Sequence, residues 1–312
     1  MSGTVIFRPR FSLQLKGMVI KMKLRAKKFL ALILCVALTI FSSANVLADE
    51  KSTNSNQQQI GITAKSDAFP NAYIEVENGT TVAARDGTVQ LQNATVTVYY
   101  EQTYGKDAEG NTIITDSRLL TEEEVNAIGK ENFETGMPSL TREVSNEKGK
   151  LQIRMDGSYS LSGNSLSSFF SAMGNWSGAG LPASDYPAAG DDVAGFSWGG
   201  NLSSSNFSAR GEYNDNSSAT VTYGTGSPNA ARAWYFSETS GLKHIKNVYF
   251  NIELSKANLT GGGNTTSLIF TYIHTFSTFD ASANISANGA GITISGASSW
   301  WPLSVELYGI PY

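Results

Sequence analysis

"LKHIKNVYFNIELS", residues 242–255, alternates so regularly that the fold class hangs on it. Leu242, His244, Lys246, Val248, Phe250, Ile252 and Leu254 share one side of an extended chain, with Ile245, Asn247, Tyr249, Asn251 and Glu253 on the other. Side chains of a strand alternate between faces, so this period of two predicts a half-buried β-strand. The following run, "TSLIFTYIHTFST", turns Leu268, Phe270, Tyr272 and Phe276 one way and Ile269 and Ile273 the other. Apolar residues on both faces predict a strand in the middle of a sheet.

Strand signals extend outward from this pair, separated by Gly, Ser and Asn: "AYIEVEN" (72–78), "TVQLQNATVTVYYEQTY" (88–104), "VAGFSWGG", "NFSARGEY", "ATVTYG", "RAWYFSE" and "WPLSVELYG". That cadence predicts an all-β fold, mainly antiparallel, sandwich or barrel-like, with one or two short helices. The first helix is "LTEEEVNAIGKENF", where Thr121 and Glu124 form a capping box and Glu122, Glu123 and Glu124 sit at the positive end of the helix dipole. The second is "SLSSFFSAMGNW", 165–176. In "ANISANGAGITISG", 283–296, the Asn288-Gly289 dipeptide suits a two-residue type I′ turn. This pairs Ala287 with Ala290, Ile285 with Ile292 and Ala283 with Ile294, giving a thin apolar face that suits packing against another layer. The "GKDAEGN" segment, 105–111, carries Asp107, Glu109 and Asn111 but lacks the later bidentate carboxylate of an EF-hand, and reads as a solvated turn.

The N-terminus is a different kind of segment. From Met22, the expected true start, Lys23, Arg25, Lys27 and Lys28 precede an apolar run from Phe29 to Phe41 and small residues ending at Ala48. This is the pattern of a secretory signal peptide over residues 1–48 that is cleaved after Ala48, leaving the chain extracellular with no permanent membrane anchor. The long basic leader resembles those of Gram-positive bacterial export. Cys35, the only cysteine, lies in the leader, so the processed chain has neither disulfides nor thiol chemistry. Residues 49–70 read as a flexible polar arm and 71–312 as the β-rich region, with any division into two subdomains near 145–190. Eight of the 23 basic residues and none of the 27 acidic ones lie in the leader, which gives the processed chain a formal charge of −12. A field of that sign argues against nucleic acid as a partner.

Chemistry is sparse. "GFSWG", 195–199, matches the G-x-S-x-G nucleophile elbow with Ser197 as nucleophile, and Asp215 with His244 or His274 follows in order. The elbow needs a strand before and a helix after in a parallel sheet, whereas "GNLSSSNFSARGEY" has no helical period. The two histidines cannot supply a three-histidine zinc site, no paired metal spacing occurs, and no cofactor motif is present. Aromatic residues are the remaining signal: Trp198, Trp234, Trp300 and Trp301 are the candidate ligand-binding residues, because exposed flat rings stack on sugars. The expectation is therefore a secreted, non-enzymatic β-sandwich that binds an extracellular glycan or protein surface. The alternatives are a β-pore-forming toxin and an extracellular hydrolase. For the toxin, "NFSARGEYNDNSSATVTYG" alternates only from Phe207 to Tyr213, and each arm of the 281–296 hairpin has about half the ~9 to 11 residues that a spanning strand needs.

Overall fold

A computed structural model describes residues 64–65, 69–79, 81–83, 87–110, 112–133, 147–178, 190–240, 243–259, 263–276 and 285–312. The leader and most of the polar arm lie outside the described residues. In chain order the strands are β1 (Ala64–Lys65), β2 (Ile74–Asn78), β3 (Thr81–Ala83), β4 (Val89–Lys106) and β5 (Thr112–Leu119). After helix α1 (Glu122–Ile128) come β6 (Glu147–Ser162), β7 (Ser165–Ser177), β8 (Asp191–Trp198), β9 (Ser203–Tyr213), β10 (Ser218–Ala219), β11 (Thr222–Ser227) and β12 (Ala231–Ser237). The last are β13 (Thr239–Ser240), β14 (Lys243–Ala257), β15 (Thr265–Thr275), β16 (Ile285–Asn288), β17 (Gly291–Ile294) and β18 (Trp300–Pro311).

These strands build two antiparallel sheets. The smaller has the order β1-β18-β15-β8-β12-β11, and the larger β10-β9-β14-β7-β6-β4-β2, with β3 and β5 also on β4 and β13 on β14. Their inner faces meet in one apolar core, where Phe196, Trp234 and Phe270 of the smaller sheet pack with Phe250 of the larger. The all-β expectation holds. So does the central place of β15, which lies between β18 and β8 with Phe270 and Tyr272 in the core and Ile273 buried on the opposite face.

Two local readings change. In β14 the alternation is kept from Val248 to Leu254, but a bulge between Ile245 and Asn247 buries Ile245 and exposes Lys246. The extra residue of a bulge shifts the phase, which moves His244 and Lys246 off the predicted face, while Leu242 lies outside the described residues. The expected helix at 165–176 is instead β7, a central strand between β6 and β14. Leu166, Phe170, Ala172 and Trp176 face inward at even spacing, with Ser165, Ser167 and Phe169 exposed. Ser and Gly hold a helix weakly, and pairing on both edges decides the conformation. Residues 147–177 thus form two neighbouring strands of the larger sheet.

Helix α1 begins as the sequence predicts. Thr121 is its N-cap, the reciprocal bonds of the capping box with Glu124 are present, and Gly129 ends it at φ +83°. In the 107–110 turn, Asp107 Oδ1 accepts from the Glu109 amide at 3.0 Å.

Strands β16 and β17 form a separate two-stranded hairpin on the outer face of the smaller sheet. Its register corrects the predicted one: Ile285 pairs with Ile294, Ala287 with Ile292 and Asn288 with Gly291. The turn therefore falls on Gly289-Ala290, with Asn288 Oδ1 accepting from the Ala290 amide at 2.8 Å. Ala283, a predicted partner, lies outside the described residues. The apolar face survives, because the partner moves by two positions and strand faces repeat every two. Ile285, Ala287, Ile292 and Ile294 pack over Val193, Ala233 and Ile273. Small residues beneath let the layers approach: a Cβ on Gly195 would lie 2.7 Å from Ile292 Cδ1.

Candidate functional site

Three of the four candidate tryptophans are core residues: Trp198 is 1% exposed, Trp234 3% and Trp301 0%. Two of the indole nitrogens have internal partners, Trp198 donating to the Leu202 carbonyl at 2.8 Å and Trp301 to Ser117 Oγ at 3.3 Å. Trp300 is half-buried against the hairpin layer. None of the three core tryptophans presents a free ring face for a sugar. Ser197 is fully buried in β8, with no hydrogen-bond partner for its hydroxyl, and is followed by a turn and β9 rather than a helix. It pairs with Ile269, five residues along β15 from His274, or about 17 Å at strand rise. Asp215 binds Lys243 and Ser217, and His244 belongs to β14 of the larger sheet whereas Ser197 belongs to β8 of the smaller.

His274 instead joins a network that residue spacing could not reveal, because Asp192 lies 82 residues away in sequence. Its Nδ1 lies 3.2 Å from Asp192 Oδ1 and 3.0 Å from Glu238 Oε1, while Gln102 Nε2 is 3.1 Å from its Nε2. Asp192 also accepts from Tyr272 Oη at 2.7 Å and from the Thr275 amide at 2.9 Å. Tyr272 in turn accepts from Trp176 Nε1 at 2.6 Å. Gln102 and Trp176 belong to the larger sheet, and Asp192, Tyr272 and His274 to the smaller, so the network pins one sheet to the other.

The network's electrostatics follow from burial. Burial disfavours charge on His274, but the negative charges of Glu238 and Asp192 outweigh it and push the imidazole up to about 10. Burial and the neighbouring Asp192 push Glu238 up to about 7. The amide of Gln102 follows the ring: its nitrogen suits a neutral Nε2, its oxygen a protonated one. One imidazole and two carboxylates within 4.8 Å are also a donor set for a cation. Those donors already engage one another, which suits a structural network.

A second cluster reaches the surface where β9, β11 and β12 come together. Phe207 is 37% exposed and Tyr223 42%, with ring centroids 5.3 Å apart, and Trp234 packs edge-on behind both. Arg232, 7% exposed, lies with its guanidinium carbon 4.5 Å from the Phe207 ring centre. Its Nη1 donates to Tyr223 Oη at 3.2 Å, its Nε has no partner, and no carboxylate among the described residues pairs with it. A buried guanidinium without a counter-charge is costly and favours an anion beside it. Sequence reading missed this group. The signal was present in "RAWYFSE", where Arg232 falls in phase with the core residues Trp234 and Phe236.

No protein-family model matches this sequence, and no curated protein is significantly similar to it.

Proposed function

We propose that this is a secreted, non-enzymatic β-sandwich that binds acidic extracellular glycans at Phe207, Tyr223 and Arg232. The observation that carries the reading is the exposed ring pair over an arginine whose charge has no partner. Flat rings take the C–H faces of a sugar, and a guanidinium takes a carboxylate or sulfate through paired N–H donors. The non-enzymatic part is supported by the position of Ser197, sealed in a strand away from both histidines.

The experiment is calorimetric titration with a sialylated trisaccharide and with its neutral core. Binding of the acidic sugar alone is expected, weakened about tenfold by Tyr223→Ala, in line with roughly 0.5–1.5 kcal/mol per aromatic contact. Tyr223→Ala also removes the hydroxyl that Arg232 donates to, so Tyr223→Phe and a melting curve of each variant separate the loss of the ring from a loss of stability. Equal binding of the neutral sugar, or an unchanged constant in Tyr223→Ala, overturns the assignment.

A further inference from the structure

The hairpin sits between two strands that are already partners. β15 and β18 are antiparallel neighbours paired down to Thr275 with Trp300, and the Phe276 amide continues the ladder to the Ser299 carbonyl at 3.3 Å. Residues 277–298 are therefore the loop of one long hairpin, whose ends are held in register. Residues 277–284 lie outside the described residues and enter through their sequence alone.

From Thr278 to Asn288 the sequence alternates without a break. Phe279, Ala281, Ala283, Ile285 and Ala287 take one side, and Thr278, Asp280, Ser282, Asn284 and Ser286 the other. On the return arm Ala290, Ile292 and Ile294 oppose Thr293 and Ser295, and Asp280 is the only charged residue between Ser277 and Ser299. Counting outward from the root at Phe276 and Ser299 rather than from the turn, each arm reaches the ~9 to 11 residues of a spanning strand. The root register and the observed hairpin register differ by an even number, so both place apolar opposite apolar. Phe279 and Trp300 lie near the root end, where interfacial aromatics belong.

We propose that β16 and β17 are a stored membrane segment: they leave the smaller sheet, the chain from 277 to 298 extends β15 and β18, and it joins the same hairpin from further copies of this chain in a closed transmembrane β-barrel. The stored state fits this use. The hairpin is bonded only to itself, so release breaks no ladder to either sheet, and its apolar face is covered by Val193, Ala233 and Ile273. Strands exposed to lipid must close on themselves, which requires several copies, and the Ser, Thr and Asn side then faces water. Among the described residues no helix is long and apolar enough to cross a membrane. This inference stands apart from the glycan site, which governs where the protein docks.

A redox lock tests it. A Cβ placed on Gly289 would lie 3.7 Å from that of Ala230 in the β11–β12 turn, within disulfide range, and the processed chain contains no other cysteine. The processed chain is added to dye-loaded phosphatidylcholine vesicles with and without a sialylated glycolipid. The wild type is expected to release dye. Gly289→Cys/Ala230→Cys should release it at least tenfold more slowly when oxidised and recover on reduction. A fluorophore on Ala281→Cys or Ala283→Cys should brighten in vesicles, while one on Ser282→Cys should not. No release by the wild type from either vesicle, equal release by locked and unlocked forms, or uniform labelling responses overturn the proposal. Glycolipid dependence that persists in Tyr223→Ala, with release intact, counts against the glycan site alone.

Discussion

At the scale of single residues, the hairpin turn shows what a dipeptide can and cannot specify. Asn288-Gly289 is the best turn signal in its stretch, yet the structure puts the positive φ on Gly291, at +139°, and uses Asn288 as a strand residue whose side chain caps the turn. The faces were legible because they depend on parity. The register was not, because it depends on seating Ile292 over Gly195, a contact between segments far apart in sequence. Gly291→Val should accordingly cost on the order of 1 to 3 kcal/mol, the strain of a β-branched residue in a region open mainly to glycine. Gly289→Val, whose added Cβ meets nothing closer than 3.5 Å, should stay within about 0.5 kcal/mol of the wild type. Urea denaturation of the two variants compares them directly, and the reverse order of stability would show that the turn is placed on Asn288-Gly289 after all.

At the scale of elements, strands with one clean apolar face were readable and β7 was not. Its inward positions include Ser168 and Gly174 as well as Leu166 and Phe170, and the exposed Phe169 blurs the contrast. Burial of Ser168 is satisfied across the sheet by the Leu254 carbonyl at 2.8 Å, a partner no local pattern contains. The opposing strand compensates for Phe170 in the same way: Gly157 of β6 lies directly opposite, and a Cβ there would meet the Phe170 ring at 2.3 Å. The ring covers bare backbone, and the strand pair depends on both residues. Gly157→Val should force the ring out of its place and cost roughly 1 to 3 kcal/mol, as overpacked cores do. A melting temperature equal to the wild type would mean that β6 and β7 have slack that this packing does not show.

At the scale of the whole molecule, the sandwich followed from the spacing of strands and turns. What ties the sheets together did not, since Gln102, Asp192 and His274 come from three separate strands and Glu238 from the link between β12 and β13, and no one of them signals the others. The network's charge also makes stability depend on pH. Glu238 is raised from 4.5 to about 7 and His274 from 6.5 to about 10, so the folded state holds protons that the unfolded chain releases. The contribution of Glu238 is complete below pH 4.5 and lost as pH rises through 7; that of His274 is complete below pH 6.5 and lost as pH rises through 10. Between pH 5.5 and 8.5 the melting temperature should therefore fall, as the buried cluster gives up protons that the unfolded chain has already lost. Glu238→Gln keeps the shape and removes the titration, and its melting temperature should vary less over that range. If the wild type instead gains stability toward pH 8.5, or if Glu238→Gln keeps the full slope, the pH response arises elsewhere and the buried carboxyl holds no proton in the folded state.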